Sequence, residues 1–172
     1  AWVSIQNNHG FGALSVGQWT AWPKAGSIGA DPYSKAKVAA DGDVPLGAAE
    51  GLTFHARTDN REEALLRQCR YVIRGKTPQA RLWTLTAQDE NDQLIINDDG
   101  RPSSLVSRNL LRNPNGVLEI HVGSAITSEN WLEMTGTGPF MLLLRLYDSP
   151  VTSTGEIDST EMPEIIREAC PS

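Results

Sequence analysis

One stretch near the carboxyl end of the chain, residues 140–147, constrains the fold more than any other. It has the sequence Phe-Met-Leu-Leu-Leu-Arg-Leu-Tyr, follows Pro139 and precedes Asp-Ser-Pro at 148–150. Side chains alternate along a β-strand, so both faces of such a strand are largely apolar here. A helix is the competing prediction, but the flanking prolines favour a short strand in the middle of a sheet. The charge of Arg145 within it favours an ion pair over a ligand contact.

Other short segments alternate apolar and polar residues and are separated by turn sequences. Strands are predicted at residues 52–57, 68–74, 81–87, 117–122 and 164–167, with a short apolar segment at 94–96. Turns are predicted at 97–100 (Asn-Asp-Asp-Gly) and 113–116 (Asn-Pro-Asn-Gly). This pattern is typical of an antiparallel β-sandwich.

Helical signals are few. Asp31 and Pro32 are typical of a helix start, and the segment they open predicts one short helix around 32–41. A capping pattern at 59–66 suggests one helical turn. The chain is therefore predicted to be mainly β, a jelly-roll-like sandwich. It forms a single domain over residues 1–172, with residues 1–30 as an N-terminal arm packed on the sandwich.

The charge of the chain limits the classes of function. A net charge of -6 and a pI near 5.0 disfavour nucleic-acid binding and polybasic membrane binding. The sequence has no apolar run of about 18 residues, so it contains no membrane-spanning helix. It begins at Ala1 without a methionine, and we expect an upstream signal peptide or membrane anchor to have been removed.

Motifs for catalysis are lacking. The sequence has no Gly-x-Ser-x-Gly, no P-loop and no Gly-x-Gly-x-x-Gly. It has no Cys/His spacing for zinc, and Asp98-Asp99-Gly100 lacks the full spacing of a calcium loop. We therefore predict no catalytic residues, no cofactor and no metal. A hydrolase assembled from His55 and His121 is the least favoured alternative.

Tryptophans and arginines are the candidate ligand contacts. Three of the five Trp lie within the first 30 residues, either as packing of the arm or as the lining of a pocket. Arginines on the polar faces of the strands either bind an anion or form a solvated, cross-paired surface, which is the simpler interpretation. The candidate ligand-binding residues are Trp19, Arg57, Trp131 and Arg145.

The chain has two cysteines, Cys69 and Cys170. Two separate buried thiols are one interpretation. The other, which we favour, is a disulfide that closes a loop of about 100 residues and stabilises the fold by about 4–5 kcal/mol. It would hold the carboxyl-terminal tail on the sheet and imply an oxidising compartment.

Several motifs together resemble one family. They are Ala-Arg-Leu-Trp-Thr-Leu-Thr at 80–86, Asn-Trp-Leu at 130–132, Gly-Pro-Phe at 138–140 and Leu-Arg-Leu-Tyr at 144–147. This combination resembles the DUF1214 domain, an uncharacterised bacterial domain. Gly-Gln-Trp at 17–19, Ala-Asp-Pro-Tyr at 30–33, Cys-Arg-Tyr at 69–71 and the tail at 163–170 resemble its small members, which follow an N-terminal membrane helix. Thr-Ala-Gln-Asp at 86–89 departs from the Tyr-Asp turn usual in the family.

The resemblance implies a β-rich domain, a Cys69–Cys170 disulfide and a periplasmic or cell-envelope location. It also implies an N-terminal anchor absent from this chain as the only link to the membrane. No catalytic residues come with the family. We predict a non-enzymatic interaction or accessory module with an unknown protein or small-molecule partner. The alternative is a binder of a small anionic or carbohydrate-like ligand.

Overall fold

The structure is a computed structural model that describes residues 13–21, 51–150 and 161–171. These residues form ten strands and one short 3-10 helix, Ser107–Asn109. The strands are β1 (Leu14–Val16), β2 (Trp19–Ala21), β3 (Gly51–Ala56), β4 (Arg70–Gly75), β5 (Leu82–Asp89), β6 (Ser104–Val106), β7 (Leu118–Gly123), β8 (Asn130–Glu133), β9 (Phe140–Tyr147) and β10 (Glu164–Ala169). The predicted mainly β class is confirmed.

β9 lies in the middle of a six-stranded sheet with the order β1-β2-β3-β9-β5-β6. It pairs antiparallel with β3 on one side and with β5 on the other. Leu142, Leu144 and Leu146 face the core, and Met141 and Leu143 on the opposite face are buried as well. The prediction of a central strand at residues 140–147 is therefore confirmed.

The second sheet has four strands in the order β10-β4-β7-β8. β4 pairs antiparallel with β10 and β7, but β7 and β8 run parallel, with Ile120 opposite Asn130. Only residues 124–129 separate these two strands. The four-stranded sheet is thus mixed rather than purely antiparallel, and its parallel pair is joined by an unusually short connection.

The two sheets enclose one hydrophobic core. The rings of Tyr71 on β4 and Phe140 on β9 meet edge to face, with centroids 5.9 Å apart. Trp19 on β2 is fully buried, and its Nε1 donates a hydrogen bond to the Pro163 carbonyl (2.8 Å). Residues 13–21 of the predicted arm are therefore a hairpin at the edge of the larger sheet. The rest of the arm at 1–30 and the helix predicted at 32–41 lie outside the described residues.

The helical turn predicted at residues 59–66 is wrong. Asp59 does accept hydrogen bonds from the backbone N–H groups of Arg61 and Glu63, as a helix cap would. However, Glu62 has φ 63, and the chain reverses instead of continuing as a helix. Turns with the same backbone hydrogen bonds recur at 89–93, 97–101 and 113–117, where Asp92, Gly100 and Gly116 have positive φ. Each is a tight turn closed by a left-handed residue.

Cys69 and Cys170 form a disulfide across 101 positions of sequence. The predicted pair is therefore confirmed. It joins the residue before β4 to the residue after β10, and so closes the edge of the four-stranded sheet. A disulfide is compatible with an extracellular or periplasmic location.

Candidate functional site

The structure does not bring the four predicted ligand-binding residues together. Trp19 lies in the core, and Trp131 lies half-buried on the outer face of the four-stranded sheet, where its Nε1 donates to the Gly123 carbonyl. Arg57 follows β3, and Arg145 lies on the outer face of β9 with Nη1 3.4 Å from Thr86 Oγ1. A ligand contact at any of them stays a prediction, but the four do not line one pocket.

His55 and His121 lie on different sheets. His55 belongs to β3 and His121 to β7, and in each strand the alternate residues fill the core. Both imidazoles therefore face away from the core, on opposite sides of the sandwich. Nothing in this placement supports a hydrolytic site built from the two.

A groove of about 470 Å³ opens where β4 leads into β5 and where β9 ends. Its lining includes Pro78, Arg81, Trp83, Arg112, Asp148 and Pro150. Natural small-molecule sites have volumes of roughly 300–1,000 Å³ and combine apolar walls with a few polar groups. By volume the groove falls in this range, although it is open to solvent and polar side chains form much of its lining.

Trp83 is the most informative residue of this groove. It is 2% exposed, and among the described residues its indole Nε1 has no hydrogen-bond partner. Its backbone N–H, by contrast, donates to Ser107 Oγ (3.1 Å). A buried donor without an acceptor costs about 1–3 kcal/mol, so such groups usually meet water or a ligand. Trp83 is one of the residues that line the groove, although its indole Nε1 is itself buried.

The charges around the groove are unbalanced. Arg81 Nη1 lies 3.8 Å from Asp148 Oδ2, and both side chains are exposed, so this ion pair is weak. Arg112 is also exposed and has no carboxylate partner among residues 13–21, 51–150 and 161–171. Two guanidinium groups thus face one carboxylate in a protein that is acidic overall. This arrangement suits an anionic group.

A second cluster lies on the outer face of the four-stranded sheet. His121 Nε2 is 3.1 Å from Glu119 Oε1 and 2.9 Å from Glu129 Oε2. Arg74 Nε lies 3.1 Å from the other Glu119 oxygen, Oε2. The parallel pairing of β7 with β8 carries Glu129 to this place. We call Glu119, His121 and Glu129 the Glu-His-Glu cluster.

Arg74 controls the ionisation of Glu119. The hydrogen bond from Arg74 lowers the pKa of Glu119, burial opposes this effect, and the charges of Arg74 and His121 lower the pKa further. The pKa of Arg74 is raised in turn, first by the hydrogen bond to Glu119 and then by its charge. Glu119 is therefore a carboxylate at neutral pH.

The acid limb of the pH–stability profile is expected to become shallower in Glu119→Gln. Because folding lowers the pKa of Glu119 below its ordinary 4.5, its stabilisation is present above that value and is lost as the pH falls through the folded pKa. The pair is partly exposed, so the effect is about 0.5–1 kcal/mol. Urea unfolding at neutral and acidic pH with EDTA measures it. Glu62→Gln is the control, and an unchanged slope in Glu119→Gln would contradict the prediction.

A third polar cluster joins Glu133 on β8 to the turn at 97–101. Partial burial, the charge of Asp99 and a hydrogen bond with Asp99 raise the pKa of Glu133, while Arg101 lowers it. The backbone is fixed nearby, because the Glu133 carbonyl accepts hydrogen bonds from Ser103 Oγ and Asn97 Nδ2. We interpret this cluster as an anchor of the turn on β8.

A solved structure shares the fold. The VPA0106 protein from Vibrio parahaemolyticus has a TM-score of 0.63 and 23% identity over 82% of this chain. A putative uncharacterized protein from Burkholderia cenocepacia has a TM-score of 0.47 and 19% identity over 75% of this chain. The chain spans about a third of each, namely 36% and 33% of their lengths. No curated protein matches the sequence.

Within the described part of the chain, no helix has the length and hydrophobicity needed to cross a membrane.

Membership of a family rests on the sequence itself. The family model "Protein of unknown function (DUF1214)" matches residues 50–151, which include strands β3 to β9. This match covers more than half of the chain, and the protein therefore belongs to the DUF1214 family.

Proposed function

We propose that this domain is a non-enzymatic binding module of the cell envelope, and that it binds a small anionic ligand in the groove beside Trp83. The observation that carries the proposal is the buried indole N–H of Trp83 without an acceptor among the described residues. Arg81 and Arg112 in the same lining determine the sign of the ligand's charge.

The chemistry of the groove favours a carboxylate or phosphate attached to a small apolar body. An anionic oxygen accepts a hydrogen bond from the indole Nε1, and the two guanidinium groups offer charge-assisted hydrogen bonds. Pro78 and Pro150 supply apolar wall. Thr77, Gln79 and Asp148 in the lining could also bind a carbohydrate, but the two arginines beside one carboxylate favour the anionic ligand among the two predicted classes.

The envelope location is part of this proposal. The disulfide between Cys69 and Cys170 supports an oxidising compartment. The N-terminal anchor implied by the small DUF1214 members remains a prediction. An acidic protein segment inserted into the same groove would be the interaction module predicted as the leading function, and the ligand's mass distinguishes the two.

Titration with acetate, succinate and inorganic phosphate is expected to shift one indole N–H signal in a ¹H–¹⁵N NMR spectrum. The chain has five Trp, so five indole signals are expected, and the signal missing in Trp83→Phe assigns Trp83. A new hydrogen bond to an anion moves this signal downfield. Arg112→Gln should raise the dissociation constant of the anion at least about tenfold, since a charged hydrogen bond contributes roughly 1.5–3 kcal/mol.

Arg61→Gln is the matched control, since Arg61 is exposed in the turn at 59–63, away from the groove lining. It should titrate as the parent does. Native mass spectrometry of protein purified from its own envelope then identifies a retained ligand by mass. A Trp83 signal unmoved by every anion, together with a bare chain in the mass spectrum, would overturn the proposal.

A further inference from the structure

We propose that the Glu-His-Glu cluster is a binding site for a divalent transition-metal ion, with Zn²⁺ the ion best matched to its ligand atoms. The site lies on the outer face of the four-stranded sheet and shares no residue with the groove beside Trp83. The proposal is therefore independent of the anion-binding function. Reasoning from sequence predicted no metal, because the three residues do not follow a Cys/His motif.

The spacing of the ligand atoms matches a metal centre. Nε2 of His121 is 3.1 Å from Glu119 Oε1 and 2.9 Å from Glu129 Oε2, and the three ligand atoms all lie within 4.8 Å of one another. A tetrahedral Zn²⁺ with bonds of about 2.0–2.2 Å holds its ligand atoms roughly 3.3–3.6 Å apart. The two distances from Nε2 must lengthen by a few tenths of an ångström, and the exposed Glu129 side chain must move to bring its oxygen to the metal.

One imidazole nitrogen is shared between the two carboxylates of the cluster. One ring nitrogen, Nε2, faces two carboxylates, and it carries at most one hydrogen. A single N–H cannot lie in line with both oxygens, and two negative charges remain close together. A divalent cation at this point binds all three atoms and neutralises both carboxylates.

Arg74 positions Glu119 for this role. Its Nε holds Oε2, so that Oε1 is the oxygen presented to His121. Outer hydrogen bonds of this kind orient metal ligands in known sites. The guanidinium also repels a cation, but the carboxylates of Glu119, Glu129 and Glu168 all act on it. The local balance therefore remains negative.

The ligand types select the class of metal. Imidazole nitrogen suits Zn²⁺, Cu²⁺ and Ni²⁺, whereas Mg²⁺ and Ca²⁺ prefer all-oxygen sites. Three protein ligands leave a fourth position for water. The cluster lies beside Trp131, which pairs with His121 across β7 and β8.

Isothermal titration with zinc chloride tests the proposal on the tag-free, disulfide-bonded chain after EDTA treatment and dialysis. We expect one Zn²⁺ per chain, and a Co²⁺ complex with visible absorption. Glu129→Gln should weaken binding at least about tenfold, a loss typical of perturbed metal sites. His121→Gln should abolish it. His55→Gln is the matched control, because His55 lies on the other sheet.

The outcomes separate cleanly. Binding that is lost in Glu129→Gln and His121→Gln but kept in His55→Gln and Trp83→Phe supports the site and distinguishes it from the groove. Should His121→Gln not fold, Glu129→Gln decides, because the Glu129 side chain is 58% exposed. An absence of binding, or binding that survives both cluster variants, would overturn the proposal.

Discussion

Removal of the disulfide is expected to lower the free energy of unfolding by about 4–5 kcal/mol in the variant Cys69→Ala/Cys170→Ser. The bond links residues 101 positions apart, and a cross-link of that length removes much conformational entropy from the unfolded chain. Domains have only about 5–15 kcal/mol of total stability. Urea unfolding of the parent and the variant measures the difference, and the melting temperature should fall by roughly 10–20 °C.

Reduction of the parent is the matched control for this variant. The parent in dithiothreitol should unfold at the urea concentration of the variant, and dithiothreitol should leave the variant unchanged. Among the described residues β10 pairs with β4 alone, so it is expected to lose hydrogen-exchange protection first. Equal stability of parent and variant would mean that pairing alone holds the tail on the sheet.

Much of the fold could be predicted because the informative patterns are local. The run at 140–147 is apolar on both faces, and a strand buries both faces only in the interior of a sheet. The observed β9 has the predicted bounds. The alternation at 52–57, 81–87, 117–122 and 164–167 likewise located β3, β5, β7 and β10. The segment at 94–96 does not form a full strand. Leu94 and Ile96 instead form isolated β-bridges.

The wrong prediction of a helical turn at residues 59–66 has a physical origin. In the turn at 59–63, the Asp59 carboxylate accepts hydrogen bonds from the backbone N–H groups two and four residues later. A carboxylate at the start of a helix accepts similar hydrogen bonds. The backbone angle of Glu62 decides between them, and that angle has no signature in residue type, since Glu rarely takes positive φ. The corresponding Gly100 and Gly116 do carry that signature, and their turns were predicted.

The candidate sites were less predictable because they depend on pairing between strands. Glu119 and His121 lie in the strand predicted at 117–122, but Glu129 reaches them only through the parallel pairing of β7 with β8. Trp83 lies in the strand predicted at 81–87, and the structure buries its side chain. The missing acceptor of its indole N–H follows from the surrounding packing, for which the sequence carries no signal.

Asp59→Ala is expected to cost about 3–5 kcal/mol, the range for removing one partner of a buried ion pair. Asp59 is 0% exposed, and its Oδ2 lies 3.1 Å from Arg167 Nε as an ion pair rather than an aligned hydrogen bond. The Arg167 guanidinium also lies 5.6 Å from the Tyr71 ring centroid. Without Asp59, this charge loses its buried counter-ion, and the turn loses the acceptor of two backbone N–H groups. Urea unfolding at neutral pH measures the loss.

Two further variants separate the charge from the turn. Asp59→Asn keeps an oxygen for the N–H groups of Arg61 and Glu63, so it should cost less than Asp59→Ala. Glu63→Ala is the matched control, because Glu63 lies 2.8 Å from Nη1 of the same arginine but is 56% exposed, and its loss should cost less than about 1 kcal/mol. Equal losses in Asp59→Ala and Glu63→Ala would contradict the prediction. Burial rather than distance determines how much each carboxylate contributes to stability. Water can solvate Arg167 in place of the exposed Glu63, but it cannot take the place of the buried Asp59.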